Sequence, residues 1–184
     1  EAEADIIIVN TCCFIKDALE ESIETILEMS QYKNPDVGNC KGLIVAGCLG
    51  QRYEKEFFDE LPEVDAIIGT TAYESIAEVA DEILGGKEQV KQLESIDLAM
   101  QDGNGKLRVL STAPYFAYLK ISEGCDNRCT YCVIPQMRGR HRSRELESLV
   151  EEATLLAQQG VKELVIVAQD TSIYGRDLYG KPML

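Results

Sequence analysis

Short runs of consecutive apolar residues recur along the chain, and each run is followed by a segment with helical periodicity. Apolar side chains on consecutive positions are typical of strands that are buried on both faces, as in a parallel sheet. The N-terminal runs are residues 4–9, 41–46 and 65–69, and the helical segments are residues 14–30, 51–60 and 73–84. This alternation predicts an α/β fold in which the first part of the chain forms an open, parallel, doubly wound sheet.

The same alternation returns further along the chain. The residues that precede it, 86–113, have no clear period and contain Asp-Gly-Asn-Gly at 102–105, which is typical of a linker or a hairpin. A strand at 115–121, a helix at 143–159 with Ser143 as its N-cap and a strand at 163–168 then form one βαβ unit. This unit is the expected start of a (β/α) partial barrel. We therefore predict an N-terminal domain at 1–85, a linker at 86–113 and a second domain at 114–184.

The charge of the chain is concentrated in its first part. The whole chain has 18 Lys and Arg and 32 Asp and Glu residues. Residues 1–112 contain 9 basic and 23 acidic residues, whereas residues 113–184 contain 9 of each, so the first part carries the entire excess. An acidic region disfavours direct nucleic-acid binding and suits a basic protein partner. No apolar run is long enough to cross a bilayer.

The strongest chemical signal is a set of three cysteines, Cys125, Cys129 and Cys132, in the loop after a predicted strand. A loop can direct three side chains to one centre, whereas a strand would point alternate side chains apart. Zinc usually takes four ligands, and no fourth Cys or His lies at a pairing distance. Thiolates also bind copper and iron–sulfur clusters. The spacing predicts a metal centre, and a non-enzymatic zinc module remains one alternative.

Two further cysteines follow predicted strands in the first part of the chain. Cys12 follows the first strand and Cys48 the second, and the carboxyl ends of parallel strands line one crevice, so their thiols are expected to converge. Buried cysteines are also common core residues. Cys13 lies beside Cys12, and this vicinal pair is weak support for a redox dithiol because such pairs form disulfides only with strain. Cys40 belongs to no motif and is expected to be an ordinary thiol.

A basic run at 138–144 contains arginines at alternate positions together with His141. The alternation is compatible with one side of an extended loop facing an anion. It is equally compatible with a solvated loop that pairs with Glu145 and Glu147. We expect His141 to lie at the surface.

The motif Cys-x-x-x-Cys-x-x-Cys at 125–132 resembles the radical S-adenosylmethionine (SAM) superfamily. The wider segment at 121–144 resembles the methylthiotransferases of that superfamily, and Asn10-Thr11-Cys12 and Gly47-Cys48-Leu49 resemble their N-terminal domain. The segment at 169–175, Gln-Asp-Thr-Ser-x-Tyr-Gly, is most similar to the branch that modifies an aspartate of ribosomal protein S-twelve. The tRNA-modifying branch tends to have an Asn-rich segment there.

The resemblance implies a 4Fe–4S cluster held by Cys125, Cys129 and Cys132, with SAM bound at the open iron. Reductive cleavage of SAM to a 5′-deoxyadenosyl radical would then allow a methylthio group to be placed on an unactivated carbon. The β-carbon of an aspartate in ribosomal protein S-twelve is the preferred target, and a tRNA adenosine is the alternative. Electron and sulfur donors would be needed as partners, and the location would be cytoplasmic.

The resemblance also assigns the remaining site residues. Tyr131 would lie near the adenine of SAM or shield the cluster, and Gln169 and Asp170 would bind the methionyl amino group or act as ordinary loop caps. A second 4Fe–4S cluster would use Cys12 and Cys48 with an upstream cysteine that this sequence lacks. We therefore expect a fragment of a longer protein with both ends missing.

Overall fold

The computed structural model describes residues 1–98 and 109–184, which form two compact units at residues 1–96 and 97–184. The hairpin predicted at 102–105 lies outside the described residues. Within the described ranges, no helix is both long and apolar enough to cross a membrane.

Unit 1 is built on a parallel sheet, as the apolar runs predict. Its strands are β1 (Ile6–Thr11), β2 (Gly42–Gly47), β3 (Ala66–Ile68) and β4 (Val90–Gln92). They pair in the order β1-β2-β3-β4, and Val9 of β1 lies opposite Val45 of β2, which lies opposite Ile67 of β3. The fourth strand lies in the segment interpreted as a linker. It has one apolar residue and borders only β3, so its sequence shows neither an apolar run nor a period.

Helices cover both faces of this sheet. The helices are α1 (Lys16–Ser30), α2 (Cys48–Arg52), α3 (Phe57–Glu60) and α4 (Ile76–Leu84), with 3-10 turns at Gln31–Lys33 and Tyr73–Ser75. Ile44 and Ile68 pack with Val79 of α4, whereas Gly50 of α2 lies against Ile67, so close that a Cβ on Gly50 would be 3.2 Å from Cβ of Ile67. Consecutive strand residues point to opposite faces, so α2 and α4 lie on opposite sides of β3. The doubly wound α/β fold is confirmed.

The single helix predicted at 51–60 is wrong, because the chain forms the two short helices α2 and α3 there. Tyr53 leaves the helical conformation, with φ −112° and ψ 26°. The break at 53–56 lets the chain turn, and Phe57 and Phe58 of α3 are then buried. Burial of two aromatic rings therefore overrides the polar helical pattern.

Unit 2 contains the predicted βαβ unit. Its two long strands pair in parallel, with Leu119 opposite Ile166, and the helix between them buries Leu149 and Leu156. Four shorter elements were not predicted, because two to five residues are too few to show a period. The elements are β5 (Phe116–Lys120), β6 (Ser122–Glu123), α5 (Ile134–Arg138), β7 (Arg142–Ser143), α6 (Leu146–Gln158), β8 (Glu163–Val167) and α7 (Arg176–Tyr179).

The predicted N-cap of the helix in unit 2 is also wrong. Helix α6 begins at Leu146 after Glu145, which makes no side-chain capping hydrogen bond. Ser143 lies in β7, where it pairs with Ser122, and its Oγ accepts a hydrogen bond of 2.8 Å from the backbone N–H of Gly175. The hydroxyl of Ser143 therefore bonds to Gly175, 32 positions away, and does not cap the helix as the local sequence predicts.

A substitution of Ile44 tests how much the buried sheet contributes to the stability of unit 1, because this side chain is fully buried in β2. Ile44→Ala should lower the free energy of unfolding by about 2–5 kcal/mol, since it removes buried methyl groups and leaves a cavity. Urea unfolding followed by circular dichroism measures the change. Lys16→Ala, at a side chain that is 81% exposed, is the control and should have little effect. Equal losses in the two variants would contradict this account of the core.

Candidate metal centre

The loop that carries the three cysteines begins with a sharp backbone turn at Gly124. This residue has a φ of +78°, and a Cβ there would lie 2.0 Å from the carbonyl oxygen of Arg140. The next residue, Cys125, donates a backbone hydrogen bond of 3.2 Å to the carbonyl oxygen of Gly139. The start of the cysteine loop, residues 124–132, therefore crosses the segment at 139–140 at a distance that only glycine allows.

The three thiols of the cysteine loop have different exposures. Cys125 is buried, Cys132 is half-buried and Cys129 is exposed, and a backbone hydrogen bond of 3.0 Å joins the N–H of Cys132 to the carbonyl of Cys129. Within residues 1–98 and 109–184, no group of three His, Cys, Asp or Glu side chains is arranged to hold a single metal ion. Thiolates are the ligands of iron–sulfur clusters as well as of zinc and copper ions. The three soft sulfur donors fit such a cluster by their chemistry.

Polar side chains of the cysteine loop contact two other segments of unit 2. Oδ1 of Asp126 accepts a hydrogen bond of 3.0 Å from the backbone N–H of His141. Nδ2 of Asn127 donates a hydrogen bond of 2.9 Å to Oδ2 of Asp170. The other oxygen of Asp170 accepts hydrogen bonds from the hydroxyl and the backbone N–H of Ser172, and the hydroxyl is the main reason that the pKa of Asp170 is lowered.

Glu123, immediately before the turn, is a buried carboxylate that sequence reasoning did not single out. Its Oε1 accepts hydrogen bonds from Nε2 of Gln169 at 2.8 Å and from the backbone N–H of Gly124 at 3.2 Å. Its Oε2 pairs with Lys120 and, at 3.3 Å, with Nη1 of Arg138. Burial by itself raises the pKa of Glu123, but the two cations outweigh it and lower the pKa. An acidic residue at the end of an apolar strand was the available sequence signal.

The arginines of the basic run contact neighbouring segments of unit 2. Arg142 donates to the carbonyl oxygens of Arg140 and Arg138 at 2.8 and 3.0 Å. Arg144 is buried, donates to the carbonyl of Lys120 at 3.1 Å and pairs with Glu152. Arg144 therefore does not follow the alternative of a solvated loop that pairs with Glu145 and Glu147.

His141 is buried, and the prediction that it lies at the surface is wrong. It is 6% exposed, and its Nε2 lies 3.1 Å from Oγ of Ser143 and 4.0 Å from Oδ1 of Asp177. Its Nδ1 has no hydrogen-bond partner among the described residues. Burial raises the pKa of Asp177, but the hydrogen bonds from Ser143 outweigh it and lower the pKa. Asp177 is 36 residues further along the chain, so the local sequence does not show this contact.

The residues predicted to bind SAM lie in unit 2 around the cysteine loop. Tyr131 is 83% exposed between Cys129 and Cys132. Gln169 and Asp170 follow β8, at the carboxyl end where barrel enzymes bind ligands. Their described partners are Glu123 for Gln169, and Asn127 and Ser172 for Asp170. Binding of SAM by these three residues stays a prediction.

Unit 1 brings its own cysteines to one edge of the sheet. Thr11 lies opposite Gly47 at the ends of β1 and β2, so Cys12 and Cys48 follow adjacent strands. Cys12 is exposed and Cys48 is buried. Both backbone polar groups of Cys12 bond to Oγ of Ser22, which accepts from the N–H at 3.1 Å and donates to the carbonyl at 2.9 Å.

Cys13 lies in the same neighbourhood as these two thiols. Burial raises the pKa of the Cys13 thiol, and the neighbouring Cys48 raises it further. Nη1 of Arg52 donates a hydrogen bond of 3.1 Å to the carbonyl of Cys13. Cys40 is buried, and its Sγ donates to the carbonyl of Gly42 at 3.2 Å, as an ordinary core thiol does. Ligation by Cys12 and Cys48 stays a prediction.

Two family models match separate parts of the chain, and each part contains one of the two sets of cysteines. Residues 119–181 match the model of the radical SAM superfamily. Residues 1–69 match the model described as "Uncharacterized protein family UPF0004". Two solved structures of the radical SAM methyltransferase TsrM from Kitasatospora setae share the fold, with TM-scores of 0.58 and 0.60 and sequence identities of 16% and 14%. They cover 92% and 94% of this chain, and the chain covers 38% of each of them. The chain is thus an α/β protein with a radical SAM region.

Curated relatives make the similarity more specific. The chain is 55% identical over 184 residues to the ribosomal protein uS12 methylthiotransferase RimO of Lachnoclostridium phytofermentans. It is 53% identical over 187 residues to the protein of the same name from Acetivibrio thermocellus. These alignments cover 100% and 99% of the chain but only 41% and 40% of the relatives, so the chain spans about two fifths of their length. The resemblance to the radical SAM methylthiotransferases, and among them to the uS12-modifying branch, is confirmed.

Gly124→Ala tests the close crossing at the start of the cysteine loop. The left-handed conformation alone costs an alanine about 1–2 kcal/mol, and the clash with the carbonyl of Arg140 adds to that cost. Gly160→Ala is the matched control, because Gly160 has a φ of +100° and nothing lies within 4 Å of its Cβ position. Chemical unfolding should show that Gly124→Ala lowers the free energy of unfolding of unit 2 distinctly more than Gly160→Ala does. Equal losses would show that the crossing is not tight.

Proposed function

We propose that the chain is part of a radical SAM methylthiotransferase that modifies an aspartate of ribosomal protein uS12 at its β-carbon. The proposal rests above all on the cysteine loop, whose Asn127 bonds to Asp170 just after β8. Three soft donors thereby lie beside the carboxyl end of a parallel strand, the usual place for ligands in barrel folds. The 50–55% identity to RimO proteins supports the choice of substrate.

Cys125, Cys129 and Cys132 would hold a 4Fe–4S cluster, leaving one iron open for the amino acid part of SAM. When bound, the cluster and SAM supply the electron and the carbon radical that activate an otherwise inert C–H bond. The role of the protein would be to position the cluster and SAM. Cys129 and the ring of Tyr131 are exposed and thus accessible to a cofactor, whereas Cys125 is buried and its backbone bonds to Gly139.

The buried carboxylate of Glu123 would orient the residues around SAM. It accepts a hydrogen bond from the amide of Gln169, so the carbonyl oxygen of that amide is left to accept a hydrogen bond from the methionyl amino group. Lys120 and Arg138 balance the negative charge of Glu123. Gln169 therefore enters the reaction already fixed, which lowers the entropic cost of binding.

Unit 1 would hold a second cluster through Cys12 and Cys48, with a further donor that this sequence does not identify. The acidic charge of residues 1–112 suits a basic substrate such as a ribosomal protein, because opposite charge steers the encounter. The reaction also requires an electron donor and a sulfur donor. We place the enzyme in the cytoplasm, where the ribosomal protein is made.

Cys129→Ala tests the ligand assignment in the full-length protein. After anaerobic reconstitution, this variant should lose the iron and sulfide of one cluster and all SAM cleavage, a larger loss than the roughly 10- to 100-fold typical of changes outside the ligand set. Cys40→Ala is the matched control and should keep both, because the thiol of Cys40 donates to the carbonyl of Gly42 and belongs to neither set of predicted ligands. A colourless protein that binds zinc would contradict the proposal.

The substrate is tested separately by offering the reconstituted enzyme uS12 and tRNA in parallel reactions. Mass spectrometry of the products should show a methylthio group on an aspartate of uS12. Modification of a tRNA adenosine, with unmodified uS12, would overturn the assignment of substrate and leave the assignment of the cluster ligands intact.

A further inference from the structure

We propose that Asn127 and Asp170 form a latch that holds the cysteine loop against the segment after β8. Both are positioning residues, and the latch determines how firmly the first half of the loop is held. Its consequence for the cluster rests on the proposed function, whereas the latch itself is a property of the chain.

The two residues are 43 positions apart and are joined by one hydrogen bond of 2.9 Å from Nδ2 to Oδ2. Asn127 lies midway between Cys125 and Cys129, so a bond at its side chain restrains the backbone that connects the two thiols. A hydrogen bond to an ionised carboxylate is stronger than one between neutral groups. This one contact therefore ties the backbone between Cys125 and Cys129 to the segment after β8, which is distant along the chain.

Asp170 is prepared to accept this bond. Its Oδ1 accepts the backbone N–H of Ser172 at 3.0 Å and the hydroxyl of Ser172 at 2.6 Å. These bonds fix the rotamer of the carboxylate and leave Oδ2 turned to Asn127. The Asp170 side chain therefore has little entropy left to lose when the latch closes, so the bond can contribute within the usual range although both groups are accessible to water.

Other bonds join the same half of the loop to the segment at 139–141. The N–H of Cys125 donates to Gly139, and Oδ1 of Asp126 accepts from the N–H of His141. Asn127 therefore anchors the loop to a second, separate segment. With both anchors made, the residues after Cys125 cannot swing away from either segment without breaking a hydrogen bond.

The chain offers a swap experiment that separates the latch from general damage. Asn127→Asp places two carboxylates together and removes the donor, which opens the latch. Adding Asp170→Asn restores a donor–acceptor pair of reversed direction, and the new amide oxygen still accepts both bonds from Ser172. Asn39→Asp, at an exposed residue of unit 1, adds the same charge elsewhere and is the matched control.

The first readout is the alkylation rate of the buried Cys125 thiol in the cluster-free full-length protein, followed by peptide mass spectrometry. Loss of a charge-assisted hydrogen bond of about 1.4 kcal/mol corresponds to a roughly tenfold faster rate in Asn127→Asp. The swap variant should return to within about twofold of the original rate, and Asn39→Asp should not change it. An unchanged rate in Asn127→Asp, or a swap variant as fast as Asn127→Asp, would overturn the latch.

The second readout is the rate at which the reconstituted protein loses iron to a chelator, with circular dichroism confirming that each variant is folded. Asn127→Asp should lose iron faster, and the swap variant should recover. If alkylation follows the latch while iron loss does not, the latch stands and its role beside the cluster is overturned. If no variant or original protein binds iron at all, the proposed function fails, and the alkylation result still decides the latch.

Discussion

The close crossing of the backbone at Gly124 is the constraint on which the arrangement of unit 2 depends. A left-handed residue without a Cβ lets the chain leave β6 and pass directly against the carbonyl of Arg140. Cys125 is buried as a result, and its N–H finds a partner in Gly139. The cysteine loop then emerges with Cys129 exposed. The crossing thus separates a buried, fixed thiol from an accessible one within the same short loop.

A polar network around the buried carboxylate of Glu123 adjoins that crossing and joins segments that are far apart in sequence. Glu123 meets Lys120, Arg138 and Gln169, which lie on β5, on α5 and just after β8. Buried polar groups are costly unless they are paired, so these contacts fix where each segment ends. The ends of the strands and the cysteine loop are therefore positioned by the same set of interactions. This arrangement is what a site that must place a cofactor requires.

Elements with a strong local pattern could be predicted from the sequence, whereas elements set by distant partners could not. The consecutive apolar residues of β2 indicate a strand buried on both faces, and the structure has it there. Cys12 and Cys48 were expected at one sheet edge because strand order alone implies it. In contrast, β6, β7 and α5 are too short to show a period. Ser143 and His141 were misplaced because their partners, Gly175 and Asp177, lie more than 30 residues further along the chain.

The central claim is that the sulfurs of the cysteine loop hold an iron–sulfur cluster with one iron available to SAM. Electron paramagnetic resonance of the reduced, reconstituted full-length enzyme, titrated with SAM, tests it most directly. The account predicts that SAM changes the signal of one cluster saturably, with one SAM bound per chain, because the amino acid part of SAM binds the open iron. A cluster signal that stays the same at saturating SAM would contradict the account.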